Sequence, residues 1–172
     1  MTPEEERADA LAMLAEWGAT PRLVRHAELV SEVALELGRE VIALGAPLDL
    51  GWTARAAAWH DAGKIWHPAE LDAPGKLHEA RGERELLALG VPEELARVCR
   101  SHADHGLARR DEEVVVCCAD TLWKGKRDPA REGGLIDRVA ASTGRGRWDV
   151  LIPLDDVFEA IAAGADARLA RS

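Results

Sequence analysis

The sequence predicts an all-α domain, on three observations. Apolar residues recur at intervals of three and four along most of the chain, the spacing that lines one face of a helix. Helix starters such as Thr2-Pro3, Thr20-Pro21 and Asp128-Pro129, and stopping glycines such as Gly18, Gly45 and Gly90, punctuate those stretches. No partner for a lone strand is evident anywhere in the chain.

Thr2 is the N-cap of the first helix, Pro3 its first residue and Glu5 the capping-box partner. Leu11, Leu14 and Trp17 give it an apolar stripe, and Gly18 ends it. A long amphipathic helix follows Thr20-Pro21, with Leu23, Ala27, Val30, Ala34, Leu37, Val41 and Leu44 on one side. His26 borders that stripe and faces inward. Asp49 caps a third helix that runs through Trp59 into His60-Asp61, and Gly63 is expected to close it with a positive φ. Trp66-His67-Pro68 breaks the pattern, and Ala73-Pro74-Gly75 is a turn. Helical periodicity returns from about Leu77 to Gly90, then from Pro92 to His102, before a polar loop over 103–110. Asp111 is read as the cap of the apolar run from Val114 to Trp123. The valines of that run would suit a strand, but without a partner strand it is a buried helix. Asp128-Pro129 opens another helix through Leu135, Ile136 and Val139, and the last, Ala-rich helix runs from about Pro153 to the end. With no repeat, low-complexity segment or boundary, residues 1–172 form a single domain.

Composition narrows the function. The net charge of −9 disfavours non-specific attraction to nucleic acid or an anionic membrane, but a small anionic substrate in a locally positive pocket remains compatible with it. No apolar run reaches the roughly 18 residues of a membrane span, and the start is acidic where a signal peptide is basic. A cytoplasmic protein is the expectation, and a homo-oligomer is compatible with it. Cys99, Cys117 and Cys118 have neither disulfide nor zinc spacing and read as small core residues in a reducing compartment. There is no Tyr, so none serves as acid, base or ligand.

Asp120 stands among Val116, Cys117, Leu122 and Trp123, where an ionised carboxylate loses several kcal/mol of hydration unless something cationic meets it. A buried Arg or Lys, an exposed face and a metal ion all satisfy that need. The histidines bear on the choice. His26, His60, His78 and His102 lie near the apolar sides of different helices, and Asp61 and Asp120 occupy comparable positions. Packing alone accounts poorly for four such histidines beside two such aspartates. Imidazole and carboxylate ligands without cysteine suit Mn, Fe, Zn, Ni, Co or Mg, and these six groups suffice for one or two divalent ions if one carboxylate bridges. His67 and His105 fall in loops, with His105 able to assist or replace His102.

The order His26, His60-Asp61, Asp120 resembles the HD-domain superfamily of metal-dependent phosphohydrolases. His60-Asp61-Ala62-Gly63-Lys64 is similar to that family's His-Asp-X-Gly-Lys stretch, and the resemblance covers about residues 22–127. It implies a helical bundle with the metal between helices. By resemblance His26, His60, Asp61 and Asp120 hold a first ion, and Asp61, His78 and His102 a second. The Gly-Tyr-Pro signature of the cyclic-dinucleotide phosphodiesterase branch is missing, and the doubled His usual before the last Asp is the spaced His102-Ala103-Asp104-His105. The implied activity is hydrolysis of a phosphate ester or nucleotide by metal-activated hydroxide, with Asp61 and Lys64 as catalytic groups. Lys64, Lys124 and Arg127 are expected to contact the anion, although Lys64 also fits a surface residue beside a helix end and the 124–127 run a solvated one. Two other functions stay open: a di-iron oxygenase built on the same ligands, and a non-catalytic helical binding module with structural histidines.

Overall fold

Helix starts written into the sequence set the scaffold. In the computed structural model, which describes residues 1–172, Thr2 caps α1 (Pro3–Glu16) with the full capping box, Thr20 caps α2 (Pro21–Ala43) and Asp49 caps α3 (Leu50–Trp59). Then come α4 (Leu77–Ala88), α5 (Glu93–Ala96), α6 (Val98–Ser101), α7 (Asp111–Leu122), α8 (Pro129–Thr143), α9 (Arg147–Ala163) and α10 (Ala165–Leu169). Short 3-10 turns at Ala62–Ile65, Pro68–Leu71 and His105–Leu107 link them, and there is no strand.

The chain is thus all-α, with α2, α3 and α7 packed on one another at its centre. α1 covers α3, α8 covers α7, and α9 closes the side against α8 and α2. Their apolar faces form one core that includes Leu14, Leu37, Leu122, Leu135 and Phe158, all fully buried. Each such side chain contributes about 1.5–3 kcal/mol on leaving water. The Trp59 indole N–H donates to the Ala10 carbonyl at 2.9 Å, and its ring meets Trp17 at 5.2 Å, so α1 holds α3 in place. No helix is long and apolar enough to cross a membrane.

The run from Val114 to Trp123 is helical and almost wholly buried, as expected. Its start differs from the expectation. Arg110 occupies the N-cap position, and the buried Glu113 does the capping, accepting from the backbone N–H groups of Arg109 and Arg110 at 2.7 and 2.8 Å. Asp111 instead pairs with Arg138 at 3.0 Å. The stretch 92–102 is two short helices meeting at Arg97, whose guanidinium also binds Glu113, at 2.6 Å. α9 begins at Arg147 and carries Pro153 inside it, because Val150, Leu154, Phe158 and Ile161 pin both halves to the core. Gly164 then separates the short α10.

Gly63 also works otherwise than expected. Its φ is not positive; it lies in the 3-10 turn after α3, where a Cβ would stand 1.8 Å from the His78 carbonyl oxygen. Glycine is required there for close approach rather than for helix closure. Gly82 faces it from α4, its own Cβ position 2.9 Å from the Gly63 nitrogen. This glycine contact brings His78 up to His60-Asp61.

Candidate metal centre

His60 is the C-cap of α3 and Asp61 the first residue past it, so their side chains escape the roughly 100° separation of helical neighbours. Both are buried. Around them stand His26 from the second turn of α2, Asp120 from the last turn of α7, His78 from the first turn of α4 and His102 at the end of α6. The six groups expected from the sequence therefore meet at one place.

They form two sets, His26, His60 and Asp120, and Asp61, His78 and His102, each with ligand atoms close enough to share an ion. Asp61 faces both. Its Oδ2 lies 3.1 Å from His26 Nε2 and 3.6 Å from His60 Nε2, while its Oδ1 lies 3.2 Å from His78 Nε2 and 3.4 Å from His102 Nε2. In the first set the two Nε2 atoms are 3.2 Å apart, and Asp120 Oδ1 is 3.4 Å from His60 and 3.7 Å from His26. Such spacings suit donors gathered around an ion with bonds of ~2.0–2.2 Å.

The hydrogen bonds behind the rings test whether a cation belongs there. His60 Nδ1 lies 2.6 Å from the Ala57 carbonyl oxygen, His102 Nδ1 3.0 Å from that of Val98, and His78 Nδ1 2.5 Å from Glu70 Oε2. Carbonyl and carboxylate oxygens only accept, so each Nδ1 carries the proton. A neutral ring then turns the Nε2 lone pair toward Asp61 or Asp120. Acceptor facing acceptor is unfavourable unless a cation lies between them, and both Asp61 Oδ1 and His78 Nε2 are buried without a hydrogen-bond partner. The residues present fit a metal.

A second proton on the rings is the alternative counter-charge, and the electrostatics reflect the competition. Burial alone would raise the Asp61 pKa, but with that second proton in place the His60 charge and the Nε2 hydrogens of His102, His26 and His78 hold it well below the ordinary carboxylate range. Asp120 is likewise lowered against its burial, chiefly by His60. For His78, burial pulls downward, yet the Asp61 carboxylate facing Nε2 and the Glu70 carboxylate behind Nδ1 favour the doubly protonated ring and leave its pKa raised.

Lys64 follows on the same 3-10 turn and places Nζ 2.6 Å from Asp61 Oδ2. Asp120 also meets a fixed cation, Arg131 of α8, at 3.8 Å. A cavity of about 660 Å³ opens beside the first set, with His26, Lys64, Trp123 and Lys124 in its wall. Arg127 lies elsewhere. Its guanidinium is held by Glu132 at 2.9 Å and Asp155 at 2.5 Å, over the Phe158 ring, and it is not part of the cavity wall, where a substrate contact was expected from the sequence. His67 and His105 stay outside both ligand sets; His105 packs against Gly134 of α8. The three cysteines are free and buried, and burial pushes the Cys117 thiol up to about 12.

Four residues escaped the reading of the sequence. Glu70 backs His78 and caps α4 by accepting from the N–H groups of Leu77 and His78, but nothing eight residues upstream of a histidine announces it. Arg22 and Arg25 line the cavity, and their spacing of four and one before His26 was a usable signal. Arg171 reaches the same wall from the far end of the chain, where sequence offers none.

Fold and site together define a helical domain built on a His-Asp pair, with side chains gathered so that they could hold a metal. The family model of the HD domain matches residues 23–125, more than half of the chain, and the chain belongs to the HD domain family. The superfamily is one of metal-dependent, phosphohydrolase-like proteins. No curated protein and no solved structure matches the chain.

Proposed function

We propose that this chain is a metal-dependent phosphohydrolase acting on a small anionic phosphate ester. The reading rests on Asp61, which turns one oxygen to each His-containing set while Lys64 touches the same carboxylate at the edge of a cation-lined cavity. Divalent ions held by His26, His60, Asp61 and Asp120, and by Asp61, His78 and His102, would supply Lewis acidity and bring the pKa of a coordinated water from ~16 toward ~7.

The remaining work falls to the chain's own groups. Ala57, Val98 and Glu70 fix the ring orientations of His60, His102 and His78, so the donor set is formed before substrate arrives. Lys64, only 18% exposed at its side chain, is placed to hold a phosphoryl oxygen at the edge of the centre, and Lys124 to draw the anion in. In the reaction the water oxygen bonds to phosphorus, the ester P–O bond breaks, and the leaving oxygen takes up a proton.

The test is phosphate release by metal-reconstituted protein under anaerobic conditions. Lys64→Ala is expected to keep its metal and lose about 10²-fold in kcat/KM. Unchanged kinetics would remove Lys64 from the site. Oxygen consumption without phosphate release, with iron bound, would replace the hydrolase by an oxygenase.

A further inference from the structure

The cavity beside the metal centre differs from the surface around it. On a chain of net charge −9, its wall contains Arg22, Arg25, Lys64, Lys124 and Arg171 and no Asp or Glu side chain; beside them stands Ser172, the last residue. Lys124 has no acidic partner within 4 Å, since it takes part in no ion pair. The three arginines do have partners, Asp72, Glu28 and Glu32, but these carboxylates lie outside the wall. The Arg22 and Arg25 pairs are at least 38% exposed on every side chain. Exposed pairs of this kind are worth ~0–1 kcal/mol, so they position the guanidinium groups without tying them up. A phosphate offers each guanidinium a bidentate partner and a stronger, charge-assisted contact.

One phosphoryl group at the metal centre would engage Lys64. It would leave the outer cations unused, and the cavity is far larger than one phosphate needs. The wall also has no Asn, Gln or acidic side chain with which to read a nucleobase, and its one hydroxyl, Ser172, donates to the Leu169 carbonyl. Reading base edges takes hydrogen-bond acceptors as well as donors, commonly from Asn, Gln or acidic side chains. This chain has no Asn, Gln or Tyr at all, and the apolar part of the wall is Pro21, Leu71 and a Trp123 that is 9% exposed and turned edge-on to His26.

We infer that the substrate is a small molecule bearing at least two phosphoryl groups, recognised by its charge and not by a base. The inner group meets Lys64 at the metal centre, and the outer one meets Arg25, Lys124 and Arg171. The inference rests on the proposed hydrolase reading.

Two measurements separate the two ideas. The first is kcat/KM for fructose 1,6-bisphosphate against fructose 6-phosphate, in the metal-loaded protein and in an Arg25→Gln/Lys124→Gln double variant. A preference of about tenfold or more for the bisphosphate is expected, falling to about threefold or less in the double variant. Equal rates for the two esters would overturn the substrate class and leave the hydrolase intact. The second is calorimetric binding of tripolyphosphate, orthophosphate and ATP. Tripolyphosphate should bind at least about tenfold more tightly than orthophosphate, and ATP no more than a few-fold more tightly than tripolyphosphate. ATP binding more than about tenfold tighter would show base recognition and overturn the inference. Charge-graded binding without hydrolysis of any ester would overturn the hydrolase reading while leaving the polyanion cleft in place.

Discussion

The two ligand sets of the candidate metal centre are built differently. His26, His60 and Asp120 come from the three central helices α2, α3 and α7, whose packing is the core itself. His78 and His102 come from the margins of the domain, one at the start of α4 after two 3-10 turns and the other at the end of the short α6. Exposure runs the other way. His26 and Asp120 are each 20% exposed at the side chain, with only His60 of that set fully buried, while His78 and His102 are both below 10%. The central half thus opens to the cavity and the marginal half is sealed. A set formed by a rigid core needs little outer support, whereas a set formed by short segments depends on local braces. Those braces are the Gly63–Gly82 approach and the Glu70 carboxylate behind His78.

Single-ligand variants test this division most strongly. If the two sets each hold an ion as proposed, His78→Ala and His26→Ala should each cost about one of the two, counted by elemental analysis after reconstitution, and leave the other in place. If either variant lost both ions together, the sets would not be separable. The brace comes next. Glu70→Ala is expected to weaken one ion about 10–100-fold in a metal titration and spare the other, with Glu70→Gln intermediate because its amide oxygen still accepts from His78. Equal weakening of both ions would mean that Glu70 acts on the fold rather than on His78. The smallest effect concerns Arg131, which competes for Asp120 from 3.8 Å. Arg131→Gln should tighten the ion of the open set by less than about fivefold, the scale of a partly exposed pair. Weaker binding there would make Arg131 a support of the site instead of a competitor.

The same division explains how much of the molecule was legible in its sequence. The Thr and Asp caps defined the starts of α1, α2 and α3 closely, because each cap is a local contact: Thr2 with Glu5, Thr20 with Leu23 and Asp49 with Trp52. The ligand histidines stood out as polar residues beside apolar stripes, as did Asp120 among valines and cysteines. Legibility failed where one residue answers to a distant one. Gly63 suggested a helix stop, but its requirement comes from the His78 carbonyl in another helix. Asp111 looked like a cap, but the buried Glu113 fixes that helix start. Arg127 belonged by proximity to a basic run that follows Asp120, yet Asp155 of α9 and the neighbouring Glu132 draw it away. Each of these outcomes depends on tertiary contacts that spacing along the chain does not encode.

The central claim is that one carboxylate, Asp61, joins the two halves. The most direct test is the metal content of Asp61→Ala set beside that of the unmodified protein, after reconstitution under identical conditions and with folding confirmed by circular dichroism. Loss of both ions from a folded variant is the predicted result. Retention of a normal metal complement would contradict the bridge.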